Sequence, residues 1–354
     1  MNRTSHSFND SAVSPPLAVI FVPYFGPWPR WMRLYLKSCA FNPSLRWHLI
    51  GDAGAPAGMP ANVTFQHLSL EAFFKRAGDL LGLNTSGMGA YKVCDFRPAF
   101  AELFPEVVAG HAFWGWGDID VVYGNIQRFV EPLLNDHDVI SFMQMPFSNH
   151  TCFLRNTPRL TGLFREATGW QADMGNTQHT AFDDHAYTRV IHNEPRVWRQ
   201  ECFATPYLRW YSWLDGSLNF PARWIWSNGR LTASRARAYE FVYFHFMTWK
   251  GRRANGETYP CWTDESVFEI HDTPAPGSVE SYELTLSGIR PCAPPADRPR
   301  RFAMIETLSF PLKWERRVRM AWACFITCDW SRALVNGRLF SAAGWRRFNE
   351  RFRG

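Results

Sequence analysis

The chain has 354 residues, of which 46% are hydrophobic and 20% charged, and this composition excludes disorder over most of its length. The net charge of +6 is concentrated at the C-terminus, where residues 297–354 hold thirteen Lys and Arg against five Asp and Glu. No stretch reaches the roughly 18 apolar residues of a spanning helix, and the eight scattered cysteines lack zinc-site spacing.

The first part of the chain alternates between strand and helix patterns. Apolar runs predict strands at 17–26, 46–54 and 62–70, and helical periodicity predicts helices at 28–39 and 70–82. Continuous apolar strands separated by helices are typical of a parallel sheet covered on both faces. The pattern therefore predicts an α/β fold with a nucleotide-type site at the carboxyl ends of the strands.

A third helix is predicted over 91–108, with Lys92, Asp95 and Arg97 near its start. The N–H groups of a helix N-terminus favour anions, so these residues are candidates for binding a nucleotide. An ordinary solvated helix face is the alternative interpretation.

The stretch that most strongly suggests a functional site is FWGWGDIDVVYGNI, residues 113–126, in which Asp118 and Asp120 follow an aromatic run. In an extended strand, side chains at i and i+2 share one face, so the two carboxylates could converge on one point. Close like charges repel, and a hard divalent cation such as Mg²⁺ or Mn²⁺ would relieve that repulsion. The alternative is a strand end with two solvated aspartates.

Further elements are predicted beyond this D-x-D stretch. A helix is expected at 127–134, a strand at 138–146, and a helix at 182–195 whose first acids, Asp183 and Asp184, could simply cap its N-terminus. Asn228 and Gly229 predict a hairpin turn. A late strand over 239–251 carries His245 and Lys250.

The C-terminal region alternates arginines with tryptophan, phenylalanine and leucine at helical spacing from residue 311 onward. Basic amphipathic helices of this kind bind anionic membrane surfaces, although a helical appendage packed on the main domain has the same pattern. We expect no signal peptide, since the start of the chain lacks an apolar core segment. The predicted organisation is a polar leader at 1–16, a catalytic domain at 17–250, a connecting region at 251–300 and a basic helical tail at 301–354.

Several blocks in this order resemble a known family. VPYFGPWPRWMRLYLKSCAFNP, YKVCDFRPAF, FWGWGDIDVVYGNI, NHTCFLRNT, AFDD, IWSNGRL and EFVYFHFMTWK are similar to blocks of GT-A-type nucleotide-sugar glycosyltransferases. They resemble more closely a bacterial family of predicted polysaccharide glycosyltransferases catalogued as a domain of unknown function. The resemblance covers about residues 19–250. It implies a GT-A-like α/β fold, with a mixed, mostly parallel sheet flanked by helices. The residue pattern after position 300 adds a basic helical C-terminal appendage to this fold.

The resemblance also implies roles for individual residues. Asp118, Asp120 and His245 would hold Mn²⁺ or Mg²⁺, and Lys250 would contact the donor phosphates. Either Asp183 or Asp184 would be the base of an inverting enzyme, whereas a retaining enzyme would not need that base.

The implied substrates are a nucleotide-sugar donor and a cell-surface polysaccharide or lipopolysaccharide acceptor. The scattered cysteines predict the cytoplasm, and the basic tail predicts a peripheral position on the inner face of the cell membrane. No nucleic-acid partner is expected, since no motif of that class is recognised.

Three other functions remain open. DIDVV resembles the nucleophile motif of haloacid-dehalogenase-type phosphohydrolases, but no lysine lies between Lys92 and Lys250 to bind the aspartyl phosphate. An Arg-rich aromatic tail is also found in nucleic-acid-binding proteins, although no recognised motif of that class accompanies it. A carbohydrate- or nucleotide-binding protein without turnover would carry the same motifs.

We predict that removing residues 311–354 releases the protein from membranes and leaves the remaining domain folded, because those residues carry most of the basic amphipathic character. Co-sedimentation with anionic vesicles, beside circular dichroism of the truncated protein, checks this. A truncated protein that still sediments with the vesicles would show that the tail is not the membrane anchor.

Overall fold

A computed structural model describes most of the first two hundred residues and several shorter segments after them. The chain divides into a first unit of residues 1–32, 36–119 and 127–199 and a second unit of residues 33–35, 120–126 and 200–354. The described residues are 17–143, 147, 150–200, 202–204, 224–233, 239–246, 268–270, 280–285, 288–295 and 301–302.

The first unit is built on a seven-stranded sheet with the strand order β3-β2-β1-β4-β7-β6-β8. Four neighbouring strands, β3, β2, β1 and β4, run parallel, and β7 is antiparallel to both β4 and β6. β8 is parallel to β6. The strands are β1 (Ala18–Pro23), β2 (Leu45–Gly51), β3 (Val63–His67), β4 (Phe113–Trp116), β6 (Val139–Ser141), β7 (Cys152–Arg155) and β8 (Val197–Arg199).

Apolar runs explain the centre of this sheet. The first five residues of β1 are fully buried, as expected for a strand covered on both faces. Ala18 pairs with Leu45 on one side and with Phe113 on the other. The predicted first three strands are confirmed, whereas β7 did not stand out in the sequence.

Helices flank the sheet, and α2 shows why they begin and end where they do. The Ser69 side chain accepts a hydrogen bond from the Ala72 N–H at its N-terminus, and Gly82 ends it with a φ of 69°. The helices are α1 (Met32–Ala40), α2 (Leu70–Leu81), α3 (Phe100–Leu103), α4 (Pro105–Val108), α5 (Ile126–Val130), α6 (Pro158–Gly162), α7 (Trp170–Gly175) and α8 (Thr188–Ile191). Short 3₁₀ helices occur at Glu131–Leu133 and Leu163–Glu166.

The predicted single helix over 91–108 is wrong in form. A ten-residue 3₁₀ helix, Ala90–Ala99, comes first, and two four-residue α-helices follow it. Pro98 and Pro105 lack the N–H groups that a continuous α-helix needs, so the segment breaks into three pieces.

The D-x-D stretch differs from the expected extended strand. β4 ends at Trp116, and residues 119–120 form a bend before the next strand, β5 (Val121–Tyr123). An extended strand therefore does not run through both aspartates of the motif. The boundary between the two units also falls within the motif, after Ile119.

The second unit contains a six-stranded sheet of order β14-β13-β9-β10-β11-β15 and a separate antiparallel pair, β12 with β5. The predicted hairpin is confirmed, since Asn228 and Gly229 have φ values of 43° and 74°. The predicted late strand is two strands, one in each sheet. The strands are β9 (Trp224–Ser227), β10 (Arg230–Ala233), β11 (Tyr239–Phe241), β12 (Tyr243–His245), β13 (Ser281–Thr285), β14 (Gly288–Pro291) and β15 (Arg301–Phe302).

The range 251–300 contains regular structure as well as connecting segments. β13 and β14 pair there as a hairpin, and the residues of β13 alternate between buried and half-buried at several positions. The proline-rich neighbourhood hid this pattern in the sequence. The proposed division into leader, catalytic domain, connecting region and tail stays a prediction, and the leader, Lys250 and residues 303–354 lie outside the described residues.

None of the described helices combines the length and the apolar character that crossing a membrane requires. The cysteines in the described part of the chain are free thiols: Cys39, Cys94, Cys152, Cys202 and Cys292. The fold-class prediction is confirmed, because the structure is a mixed α/β fold with a large, mostly parallel sheet flanked by helices.

The close approach of β4 and β7 generates a stability prediction. A Cβ added at Gly115 would overlap the carbonyl oxygen of Cys152, which belongs to the backbone and cannot move aside alone. We expect Gly115→Ala to lower the free energy of unfolding by about 1–3 kcal/mol, as overpacking does.

Gly162→Ala is the matched control, because an added Cβ there meets nothing within 4 Å. We expect it to change stability by less than about 1 kcal/mol. Urea unfolding measures both variants, and equal effects would contradict the close-approach argument.

Candidate active site

Arg97 joins two of the acidic residues that the sequence singled out. One guanidinium nitrogen, Nη2, donates to Asp118 Oδ1, and the other, Nη1, donates to Asp183 Oδ2 at 3.1 Å. The side chains of Arg97, Asp118 and Asp183 are 12%, 16% and 4% exposed. All three belong to the first unit. The structure therefore brings together the first aspartate of the D-x-D motif and the first of the acidic pair.

Burial and charge set the protonation of Asp183. Burial is the largest influence on its pKa and, against the lowering by Arg97, raises the pKa to about 6. The neighbouring charge of Asp184 also raises it. Asp183 is therefore ionised at neutral pH but is more basic than an ordinary carboxylate, as expected of a group that exchanges protons near pH 7.

The backbone of β7 places a histidine beside Asp118. Gly117 and Thr151 form an antiparallel bridge, and the Asp118 N–H donates to the His150 carbonyl at 2.9 Å. A carboxylate oxygen of Asp118 and a ring nitrogen of His150 lie within 4.8 Å of each other. His150 is 5% exposed. The first unit thus offers one carboxylate and one imidazole at the end of β4.

The second unit holds an equivalent pair. β12 pairs with β5 so that His245 is opposite Val121, the residue after Asp120. His245 Nε2 lies 3.4 Å from Asp120 Oδ2, and the Phe246 N–H donates to the Asp120 carbonyl at 3.1 Å. Asp120 and His245 are 3% and 1% exposed. The predicted association of His245 with the D-x-D motif therefore has a direct contact within this unit.

Lys92 and Asp95 lie in a buried network of the first unit. Lys92 Nζ donates to Asp95 Oδ2 at 2.7 Å, to the Asp173 carbonyl at 2.5 Å and to the Gln178 carbonyl at 3.0 Å. These three bonds use all three donors of an ammonium group. The structure thus supplies protein partners for both charges, and the role of Lys92, Asp95 and Arg97 as nucleotide contacts stays a prediction.

The acidic pair opens a helical segment but does not cap it. Asp183–Tyr187 forms a π-helical turn whose N-cap is Phe182, with no side-chain capping bond. Asp183 is buried and Asp184 is half-buried. The alternative role of the pair as a simple N-cap is therefore wrong, since Asp183 is bonded to Arg97 instead.

His150 and His179 were not predicted as site residues. His150 lies within the quoted block NHTCFLRNT, directly before a strand that the sequence did not reveal. His179 lies 3.1 Å from Asp95, although 84 positions separate the two along the chain. His150 gave only a weak sequence signal, because it lies next to a strand that was not predicted. His179 gave none, because its partner Asp95 is far away along the chain.

The Arg97 bridge generates a prediction about stability. We expect Arg97→Gln to lower the free energy of unfolding at pH 7 by about 3 kcal/mol, since it leaves two largely buried carboxylates without their cation. The loss should shrink as the pH falls from 7 towards about 6. The variant lacks the Arg97 charge that lowers the Asp183 pKa, so its carboxyl becomes neutral at a higher pH than in the wild type, where the pKa is about 6. Urea unfolding at several pH values measures it.

Lys75→Gln is the control, because Lys75 and its partner Asp79 are 74% and 64% exposed. Exposed pairs contribute about 0–1 kcal/mol. A loss for Arg97→Gln no larger than that of the control would contradict a structural role for the bridge.

Three solved structures similar to this chain are glycosyltransferases. Glycosyltransferase GlyE of Streptococcus pneumoniae TIGR4 is 12% identical with a TM-score of 0.32, over 53% of this chain and 45% of that chain. Mouse xyloside xylosyltransferase 1 is 10% identical with a TM-score of 0.36, over 54% of this chain and 87% of that one. A glycosyltransferase involved in glycosylation of the major capsid of PBCV-1 is 9% identical with a TM-score of 0.30, over 53% and 84%.

The match thus spans less than half the length of GlyE. At these identities and TM-scores the likenesses carry no argument about activity. No curated protein sequence matches the chain.

A family profile does match, over residues 20–271, which is more than half of the chain. The matched range overlaps most of the range from 19 to 250 that carries the sequence resemblance. The family is described as one of unknown function, DUF6625. The chain belongs to this family.

Proposed function

We propose that the protein is a metal-dependent glycosyltransferase that moves a sugar from a nucleotide-sugar to a glycan acceptor. One observation carries this proposal: each aspartate of the D-x-D motif lies beside a buried histidine, His150 for Asp118 and His245 for Asp120. The cell-surface polysaccharide or lipopolysaccharide acceptor is proposed from the sequence resemblance. A position at the inner face of the membrane is proposed from the basic amphipathic pattern that begins at residue 311.

The donor atoms suit a divalent cation. Carboxylate oxygens and imidazole nitrogens together favour Mn²⁺ over Mg²⁺, which prefers oxygen ligands. Ligands about 2.1 Å from an ion and at right angles are about 3 Å apart, which is close to the 3.4 Å between His245 Nε2 and Asp120 Oδ2. We propose that both carboxylates bind the same ion, since one residue separates Asp118 from Asp120 along the chain. We propose Asp118, Asp120 and His245 as ligands, with His150 as an addition.

Such a metal would supply charge neutralisation for the leaving diphosphate. The protein's own contribution begins with Arg97, which fixes the orientation of Asp118 and holds Asp183 at the same time. We propose Asp183 as the base that accepts the proton of the acceptor hydroxyl, with Asp184 as the alternative. Lys250 keeps its proposed role at the donor phosphates.

The first prediction of this proposal concerns nucleotide binding. Purified protein with Mn²⁺ should show a rise in melting temperature with one of UDP, GDP, CDP, CMP or dTDP, and EDTA should abolish the rise. Asp120→Ala should abolish the metal-dependent part, because it removes a buried ligand. A ligand at a hundred times its dissociation constant raises the free energy of unfolding by about 2.7 kcal/mol.

Asp79→Ala is the control, since Asp79 is an exposed carboxylate that forms a salt bridge with Lys75. It should keep the full nucleotide effect. An unchanged nucleotide effect in Asp120→Ala would contradict the site assignment.

The second prediction concerns the base. Turnover with saturating donor should rise with pH, with a midpoint near 6, because the carboxylate of Asp183 must be ionised to accept a proton. Asp183→Asn should lower kcat by about a hundredfold or more, and Asp184→Asn far less. The reverse order would assign the base to Asp184, and full activity in both variants would indicate a retaining enzyme or a different base.

Activity and binding measurements together distinguish the other functions. Transfer of sugar to an acceptor identifies a transferase, and nucleotide binding without turnover identifies a binding protein. Release of inorganic phosphate from a phosphomonoester would indicate the phosphohydrolase.

A further inference from the structure

Three side chains of the first unit surround a backbone turn just before Asp183: Lys92, Asp95 and His179, called the Asp95 clamp below. We infer that this clamp positions Asp183 for the proposed reaction by holding a left-handed turn at Ala181. The inference rests on the proposed function in one respect, the role of Asp183 as the base. The members of the clamp are positioning residues, since none of them needs to touch substrate.

The carboxylate of Asp95 bonds to the backbone on both sides of Ala181. The Thr180 N–H donates to Asp95 Oδ2 at 2.9 Å, and the Phe182 N–H donates to Asp95 Oδ1 at 2.8 Å. The Thr180 hydroxyl also donates to Oδ2, at 3.2 Å. One buried carboxylate therefore fixes the two peptide groups that flank Ala181.

The turn at Ala181 needs such support. Ala181 has a φ of 54°, one of only two positive values at non-glycine residues in the described part of the chain. The other belongs to Asn228 in the hairpin turn, where that residue type is usual. For a residue with a Cβ, the left-handed conformation costs roughly 1–2 kcal/mol. Strain of this kind persists only where surrounding contacts enforce it, and it is frequent at functional sites.

The turn determines where the π-helical segment begins. The Ala181 carbonyl accepts from the His185 N–H at 2.9 Å, and the Phe182 carbonyl accepts from the Tyr187 N–H at 3.0 Å, the i+5 bond of a π-helix. Asp183 is the first residue of this segment, so the turn sets the direction of its side chain. π-Helical turns are rare and frequently lie at functional sites.

The 3₁₀ helix Ala90–Ala99 contacts both the backbone before Asp183 and the Asp183 carboxylate. Residues three apart on a 3₁₀ helix lie on one face, which is why Lys92 reaches Asp95. Arg97 from this helix bonds the Asp183 carboxylate itself. One rigid element thus fixes the backbone before Asp183 and also its carboxylate.

The groups around Asp95 keep its carboxylate ionised. Burial would raise the pKa of Asp95, but His179, Lys92 and the two backbone N–H groups hold it well below its usual range. Asp95 thus remains ionised over the pH range in which Asp183 titrates. Removing only Lys92 or only Asp95 would leave a buried charge unpaired and threaten folding, so milder substitutions make the better test.

Ala181→Val and Ala181→Gly form the matched pair, because a β-branched residue opposes a positive φ whereas glycine accepts it. The Asp183 carboxyl is titrated by ¹³C NMR in the free protein, and kcat and the donor KM are measured. For Ala181→Val we expect a displaced titration midpoint and a kcat at least tenfold lower, with KM within about threefold. Ala181→Gly should match the wild type in both.

Unchanged titration and kcat in Ala181→Val would overturn the inference, as would an equal loss in Ala181→Gly. If Ala181→Val does not fold, His179→Ala replaces it, because His179 is partly exposed. This substitution removes the contact at 3.1 Å to Asp95 together with a ring contact to the exposed Tyr91. It should displace the Asp183 midpoint with an unchanged circular dichroism spectrum, and an unmoved midpoint would overturn the inference. If the wild type shows no glycosyl transfer, the proposed function fails, and the titration alone still decides the positioning role.

Discussion

The bridge from Arg97 to Asp118 and Asp183 is the interaction on which the candidate site of the first unit depends. Two buried carboxylates repel one another unless a cation lies between them, and the planar fork of an arginine can serve both at once. Arg97 is placed by the 3₁₀ helix Ala90–Ala99, which also carries Lys92 and Asp95 of the Asp95 clamp. The positions of Asp118 and Asp183 relative to each other therefore depend on this short helix.

The sheet contributes the remaining geometry through close backbone approach. Gly115 lets β4 and β7 come together more closely than any side chain would allow. β7, the antiparallel neighbour of β4, brings His150 to the end of β4, beside Asp118. In the second unit, the β5–β12 pair does the same for Asp120 and His245. Each D-x-D carboxylate thus meets an imidazole through strand pairing, and this arrangement underlies the proposed Mn²⁺ preference.

The sequence predicted those parts of the fold that depend on local patterns. The apolar runs of β1 to β3, the capped helix α2 and the Asn228–Gly229 hairpin were all readable, because each depends on neighbouring residues. It also identified the D-x-D pair and Asp183, but not their arrangement. The break of the predicted helix has a local cause, Pro98 and Pro105, which the helical periodicity outweighed in the prediction. The bend at residues 119–120 depends on backbone geometry, and Lys92 and Asp95 have partners more than eighty residues away.

The central claim is that the D-x-D aspartates bind Mn²⁺ together with histidine nitrogen. Electron spin-echo envelope modulation of Mn²⁺ bound to the purified protein tests it most directly, because the method detects ¹⁴N nuclei coordinated to the ion. The account predicts histidine ¹⁴N modulation in the wild type that is lost in the double variant His150→Gln, His245→Gln. Bound Mn²⁺ with no nitrogen modulation, or with modulation that survives in the double variant, would contradict it.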